Sequence, residues 1–370
     1  MARTFELTTE GDVTVLKTIT VNDALFLPAG WSNISRQDLL CDERGNIVRE
    51  SCLIRGPSLQ VSGMQNVSTP DVTRINDAAV RSAPRLNGNY LFLGDVAAGH
   101  FGHAITEGLA RFWAVRIFDP DSVRIPIGFN PFGLSRMFHV FRGRDGSRYV
   151  HAAINSFGLS RKNFLFTRTP VRLEKVVIPE PSVILRQHFH PEHLETTRRV
   201  SKYIFPTQDD NKSDIPIYLS KTRLKRFVGK VKNEMAIEQF MARNFGAKIV
   251  YPELLSPKAT IKLFNDHKVF VGTAGSAFHS FLFRQVNEKV TAVYLTVVGG
   301  LYRNFLEIDH MVGIDGHYIA CCSPTRMPRE FECDIEVAKA GISSVLNSGS
   351  EVAEALVDRA DHIPLVDRTT

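Results

Sequence analysis

The stretch from residue 215 to 297 constrains the fold most. Short apolar runs alternate there with amphipathic segments: IPIYLS (215–220), VKNEMAIEQFMARNFG (231–246), AKIVYP (247–252), SPKATIKLFNDH (256–267), KVFVGT (268–273), GSAFHSFLFRQ (275–285) and VTAVYLTV (290–297). Runs rich in β-branched and aromatic residues predict strands, and apolar residues at a period of 3.6 predict helices. The punctuation agrees, with Ser256 as N-cap, Pro257 at the first helical position and Gly246 just past a helix end. Successive strand–helix units imply parallel strands, because each helical crossover returns the chain to the same end of the sheet. Ligands then gather beyond the carboxyl ends of those strands.

The first 85 residues differ. Apolar runs such as VTVLKTITV, ALFLPAGW and NIVRESCLI are separated by Gly, Pro, Asn and Asp, which predicts a β-rich N-terminal extension over 1–85. From NYLFLGD (89–95) the strand–helix pattern begins, with HAITEGLARFWAVRIF amphipathic at helical spacing and VRIPIGF after it. FPTQDDNKSD (205–214) has linker composition, and DIEVAKAG and SGSEVAEALVDRA predict a helical tail. The expected organisation is therefore 1–85, 86–204, 205–330 and 331–370, with two α/β domains in the middle. NPFGLSR (130–136) and NSFGLSR (155–161) echo one another, but two copies do not make a repeat array.

At 370 residues, with 44% hydrophobic and 23% charged side chains, the chain can bury two cores. Its net charge of +6 favours anionic partners. Five cysteines, odd in number and without CxxC spacing, argue against a disulfide framework and a thiolate zinc site, and for a reducing, cytoplasmic setting. The N-terminus lacks an apolar core of signal-peptide length, and no window approaches the roughly 18 apolar residues of a membrane span.

Two stretches carry the chemistry of anion binding. YLSKTRLKRFVGKVKNE (218–234) opens after a strand and holds Lys221, Arg223, Lys225, Arg226, Lys230 and Lys232 before Asn233 and Glu234. Cations and helix-end amides at that place favour a diphosphate. VFVGTAGSAFHSFLF (269–283) ends a strand at Gly272 and turns through small residues, Thr273, Ala274, Gly275 and Ser276, so backbone amides can approach an anion closely. His279 follows, either to meet a nucleotide or to hydrogen-bond within the core.

A third stretch, GHFGHAITEGLARFW (99–113), sets His103 and Glu107 at i and i+4, on one helical face at a strand end. Glu107 is a candidate base, with His103 orienting it, contacting a donor, or acting as base itself. Glu107 could equally pair with Arg111 one turn on, leaving His103 a core histidine. Metal motifs are poor: DPD (119–121) follows a helix instead of an apolar strand, and Pro191 breaks the spacing within HFHPEH (188–193).

In order along the chain, GHFGHAITEGLARFW, YLSK with KNE following, IVYPELLS and VFVGTAGSAFHSFLF resemble the family 61 glycosyltransferases, including bacterial members linked to surface polysaccharide synthesis. The resemblance spans about residues 90 to 285 and implies a GT-B arrangement: two Rossmann-like domains facing a cleft, the donor held by the C-terminal one. It implies inversion without a metal ion or cofactor, Glu107 and His103 as catalytic residues, and donor contacts from Ser220, Lys221, Arg223, Arg226, Lys230, Asn233, Glu234, Gly272, Gly275, Ser276, Ala277 and His279. The expected partners are a nucleotide sugar and a glycan acceptor, lipid-linked at the inner membrane face or free, and the 1–85 extension is expected either to shape acceptor access or to mediate self-association. Two positions depart from the family pattern: Lys221 replaces an arginine, losing bidentate phosphate recognition, and Ser280 replaces an asparagine. The alternative is a non-catalytic glycan- or nucleotide-binding protein of the same fold. A dehydrogenase or epimerase lacks its G-x-G-x-x-G, and the basic stretch lacks the interleaved aromatics of a nucleic-acid platform.

Overall fold

The computed structural model describes residues 15–29, 37–56, 60–62, 82–94, 96, 100–119, 121–128, 147–206, 212–224, 229–285, 288–300, 303–327 and 329–347. Arg226, the NPFGLSR copy of the echo and the tail beyond Asn347 lie outside the described residues. The chain is a mixed α/β protein, and it divides into two compact units, Met1–Val200 and Ser201–Thr370.

The C-terminal unit is built on a seven-stranded sheet. From one edge the strands are Lys230–Val231, Glu330–Cys333, Ile314–Pro324, Val290–Val297, Val269–Thr273, Ile217–Leu219 and Lys248–Val250. The five consecutive strands from Ile314–Pro324 to Lys248–Val250 run parallel; the alternating pattern predicts four of them, with Val290–Val297 as the last, and Ile314–Pro324 extends the run by one. Val290–Val297 is buried almost throughout, which explains its continuous apolar run: strands covered on both faces have no polar side to display. Helix Pro257–Asp266 begins as predicted, Ser256 accepting a hydrogen bond from the Ala259 amide and Pro257 filling the first position. Helix Glu234–Phe245 ends on Gly246 at φ +59°, the left-handed conformation that glycine adopts at little steric cost. Between helix and sheet, Phe264, Phe270 and Phe281 pack with ring centroids 4.7 to 5.3 Å apart. Truncating fully buried Phe270 to alanine is expected to cost about 3–5 kcal/mol.

The order of these strands creates a switch point. From Ile217–Leu219 the chain passes to Lys248–Val250 on one side, then crosses back to Val269–Thr273 on the other. The carboxyl ends of Ile217–Leu219 and Val269–Thr273 thus border the crevice where doubly wound sheets bind ligands.

The N-terminal unit carries a four-stranded sheet in the order Leu39–Cys41, Thr18–Leu27, Val171–Pro179, Arg85–Leu91. The first two pairings are antiparallel and the last is parallel. The sheet is therefore mixed, and the strand Thr18–Leu27 of the predicted extension lies inside it, buried at Ala24, Leu25 and Phe26. A parallel pair, Ile125–Gly128 with Phe164–Thr167, continues from the Arg85–Leu91 edge through a bridge between Tyr90 and Arg124. Only part of the predicted helix 103–118 is regular: α-helix covers Phe101–Ile105, a turn follows, and Phe112–Ile117 is 3-10. The turn is tight at Gly108, where a β-carbon would stand 2.5 Å from the Ala104 carbonyl oxygen. No helix among the described residues is long and apolar enough to cross a membrane.

Candidate active site

The turn that follows the short helix Phe101–Ile105 carries Glu107 into a cavity of about 190 Å³ in the N-terminal unit, lined also by Asp38, Arg55, His100, His103 and Arg111. Its size suits a small group better than a whole nucleotide, since sites for larger ligands start near 300 Å³. Arg55 donates from Nε to Glu107 Oε1 at 2.5 Å and from Nη2 to Oε2 at 2.6 Å. His103 Nδ1 stands 2.7 Å from the same Oε2, the i to i+4 meeting that the spacing predicts. Because a carboxylate accepts only, Nδ1 is the donor in this contact. Arg55 Nη2 also lies 3.3 Å from Nδ1, but two donors cannot bond one another.

The same contacts set the charge of Glu107. Burial alone would push its carboxyl up; hydrogen bonds from His103 and Arg55, with their charges, outweigh burial and hold it below the usual value. Glu107 is thus a buried anion with both oxygens engaged. The neighbouring His100 ring, 5.2 Å from that of His103, is held below its ordinary value by burial and by His103.

Three further residues hold this segment in place. Ser182 Oγ donates to the Ala110 carbonyl at 2.8 Å and lies 3.1 Å from His193 Nδ1, while His193 Nε2 lies 3.0 Å from the Ile105 carbonyl. The chain on both sides of Glu107 is therefore pinned, at Ile105 by the fully buried His193 of HFHPEH and at Ala110 by Ser182. Arg111 does not pair with Glu107. Its guanidinium donates to the carbonyls of Pro179 at 2.9 Å and Glu50 at 2.8 Å, and burial lowers it to about 10.

In the C-terminal unit the switch point is occupied by Lys221. Its Nζ donates to the Ala274 carbonyl at 3.0 Å, bridging the two strand ends, and burial lowers its pKa. Gly275 makes room for it, since a β-carbon there would meet Nζ at 2.7 Å, and Gly272 lets its strand approach Leu219, whose carbonyl would meet a β-carbon at 2.8 Å. Ser276 and Ala277 open the 3-10 segment Ser276–Phe283, which buries Ser280 and sets His279 against Phe305 at 5.6 Å. Thr273 Oγ1 beside them is buried with no hydrogen-bond partner among the described residues.

Other predicted donor residues brace the loop. The Lys221 amide donates to Glu234 Oε1 at 3.1 Å, and Tyr218 OH reaches the same atom at 3.3 Å. Burial pushes Glu234 up to about 7, against the opposing pull of Lys221 and Tyr218. Ser220 bonds Glu238 and Thr222, Arg223 stacks on Tyr251 at 4.1 Å, and Lys230 lies in an edge strand. Asn233 exchanges two hydrogen bonds with the Cys333 backbone, at 2.7 and 2.9 Å.

Sequence reasoning missed Arg55 and the cysteines. Arg55 sits in an apolar run with no motif and meets Glu107 across 52 positions, a separation no local pattern reports. Cys321, Cys322 and Cys333 come together with sulfurs 3.2 to 4.0 Å apart, though nothing in their spacing follows a metal motif.

No curated protein matches the chain. The model of the glycosyltransferase 61 family matches residues 101–293, just over half of the chain, spanning both His103 with Glu107 and the Lys221 switch point. The protein thus belongs to glycosyltransferase family 61 and is a glycosyltransferase, an enzyme that takes a sugar donor and a glycan acceptor.

Proposed function

We propose that this enzyme is an inverting, metal-independent transferase that moves a sugar from a nucleotide-sugar donor to a glycan acceptor in surface polysaccharide biosynthesis. The observation that carries this is the Arg55, Glu107 and His103 cluster. With both Glu107 oxygens engaged, the base is His103 and Glu107 is its positioning residue. The acceptor hydroxyl gives its proton to His103 Nε2 as its oxygen attacks the anomeric carbon from the face opposite the leaving group. The nucleoside diphosphate departs with the bonding electron pair, and Glu107 stabilises the imidazolium that forms. On the donor side, Lys221 and the amides of residues 275–277 supply positive charge for the departing diphosphate, a role in which no metal ion is required.

The GT-B arrangement implied by the family resemblance belongs to this proposal. Its support is the five-stranded parallel run of the C-terminal unit, with basic residues at its switch point. A cytoplasmic location, peripheral contact with an anionic membrane face and a lipid-linked acceptor also belong to it, supported by the net charge of +6.

Thermal shifts of the purified protein against UDP, GDP, CDP, CMP and TDP, with and without EDTA, test the donor side. One diphosphate should raise the midpoint selectively, and EDTA should not change that shift. No shift with any nucleotide, or a shift abolished by EDTA, would overturn the proposal.

A further inference from the structure

Three of the five cysteines converge in the core of the C-terminal unit, behind the Lys221 strand end. Cys321 Sγ lies 3.2 Å from Cys333 Sγ, Cys322 Sγ lies 3.4 Å from Cys333 Sγ, and the two vicinal sulfurs are 4.0 Å apart. Adjacent residues of a regular strand point to opposite faces, so this meeting needs a cause. It is a bulge. Thr296 pairs with Ala320 and Val297 with Cys322, so Cys321 is the extra residue, and both neighbouring sulfurs turn to one side. Cys333 arrives from the next strand as the antiparallel partner of Cys322, its backbone clasped by Asn233.

The geometry points to a metal site: Cys321, Cys322 and Cys333 form a three-thiolate site for one soft d10 metal ion, monovalent copper or zinc. An ion about 2.3 Å from each sulfur would set the sulfurs about 3.8 to 4.0 Å apart. The 4.0 Å spacing already lies in that range, and the 3.2 and 3.4 Å spacings reach it by opening about 0.4 to 0.8 Å, shared between the two sulfurs of each pair. Thiolates select such ions over hard cations. Binding releases the thiol protons to solvent, so the ion replaces them as the positive charge among the sulfurs. At exposures of 1 to 3% the three side chains would otherwise be only small apolar groups in the core. The ion is structural, locking the Cys333 strand and Asn233 beneath the donor loop, and lies apart from the proposed chemistry.

The test uses the full chain, purified under reducing, anaerobic conditions, incubated with Zn²⁺ or Cu⁺ in separate arms and then desalted. Elemental analysis should find about one ion per chain in at least one arm, with a raised thermal midpoint and a sulfur-to-metal charge-transfer band in the Cu⁺ arm or with Cd²⁺ in place of Zn²⁺. Cys322→Ser and Cys333→Ser should each bring retention close to zero, while Cys41→Ser, at the buried cysteine of the N-terminal unit, should not. Should a variant fail to fold, the charge-transfer band and midpoint of the unmodified chain still decide. Wild-type protein that retains no ion in either arm, or that forms a disulfide within the trio while taking up no metal, overturns the site.

Discussion

Arg55 lays its guanidinium across both oxygens of Glu107, at 2.5 and 2.6 Å, from a strand 52 residues away in sequence. That fork leaves the carboxylate no free oxygen facing the cavity. Arg55→Lys keeps the charge but loses one of the two parallel bonds, and Arg55→Ala leaves a buried anion with His103 as its remaining partner. The alanine variant is expected to lose about 1–3 kcal/mol of stability by urea unfolding, together with most turnover. The lysine variant should keep most of the stability and still lose activity.

Glu107 also makes stability depend on pH with a definite sign. Its carboxyl is held below the usual value in the folded chain, so the folded state binds fewer protons than the unfolded one. Its contribution is fully present above the unfolded value of about 4.3 and is lost as pH falls through the lowered folded value. The difference in urea midpoint between wild type and Glu107→Gln should shrink as pH falls below about pH 4. A difference that grows on acidification would show that the folded carboxyl is raised.

His193 acts at one remove. It lies fully buried against Ser182 and the Ile105 carbonyl, so His193→Ala frees the turn that presents Glu107 without touching the cavity. A cost of about 1–3 kcal/mol is expected, from partners left unpaired. Turnover should fall with the donor KM unchanged, and His193→Asn or His193→Gln should recover part of it; equal losses at all three would mean a merely structural role.

At the switch point, Gly275→Ala would place a methyl group 2.7 Å from Lys221 Nζ. The clash is with the end of a flexible side chain, so the fold persists and the ammonium moves. Nucleotide affinity, read by titration calorimetry, should fall about tenfold, close to the effect of Lys221→Ala.

The C-terminal sheet was legible because its order is local. Helical crossovers separate the successive strands of its parallel run, and Ser256, Pro257 and Gly246 mark helix ends that the structure keeps. The pairing of His103 with Glu107 was legible for the same reason, four residues apart. What escaped is long-range. The strand Thr18–Leu27 joins Val171–Pro179 across some 150 positions, making mixed a sheet that strand–helix alternation predicts as parallel. Arg55 reaches Glu107 from another part of the chain, and the cysteine trio depends on a bulge that shifts register by one residue. Helix period was also a poor guide at 103–118, where Gly108 closes a turn too tight for a continuous helix.

Steady-state turnover of His103→Ala and Glu107→Gln, with the donor whose nucleoside diphosphate stabilises the protein, tests His103 as the base. With His103 as the base, kcat falls about 10²- to 10⁴-fold in His103→Ala and substantially in Glu107→Gln, while both variants keep the wild-type thermal shift with that nucleotide. Wild-type kcat in His103→Ala would contradict it.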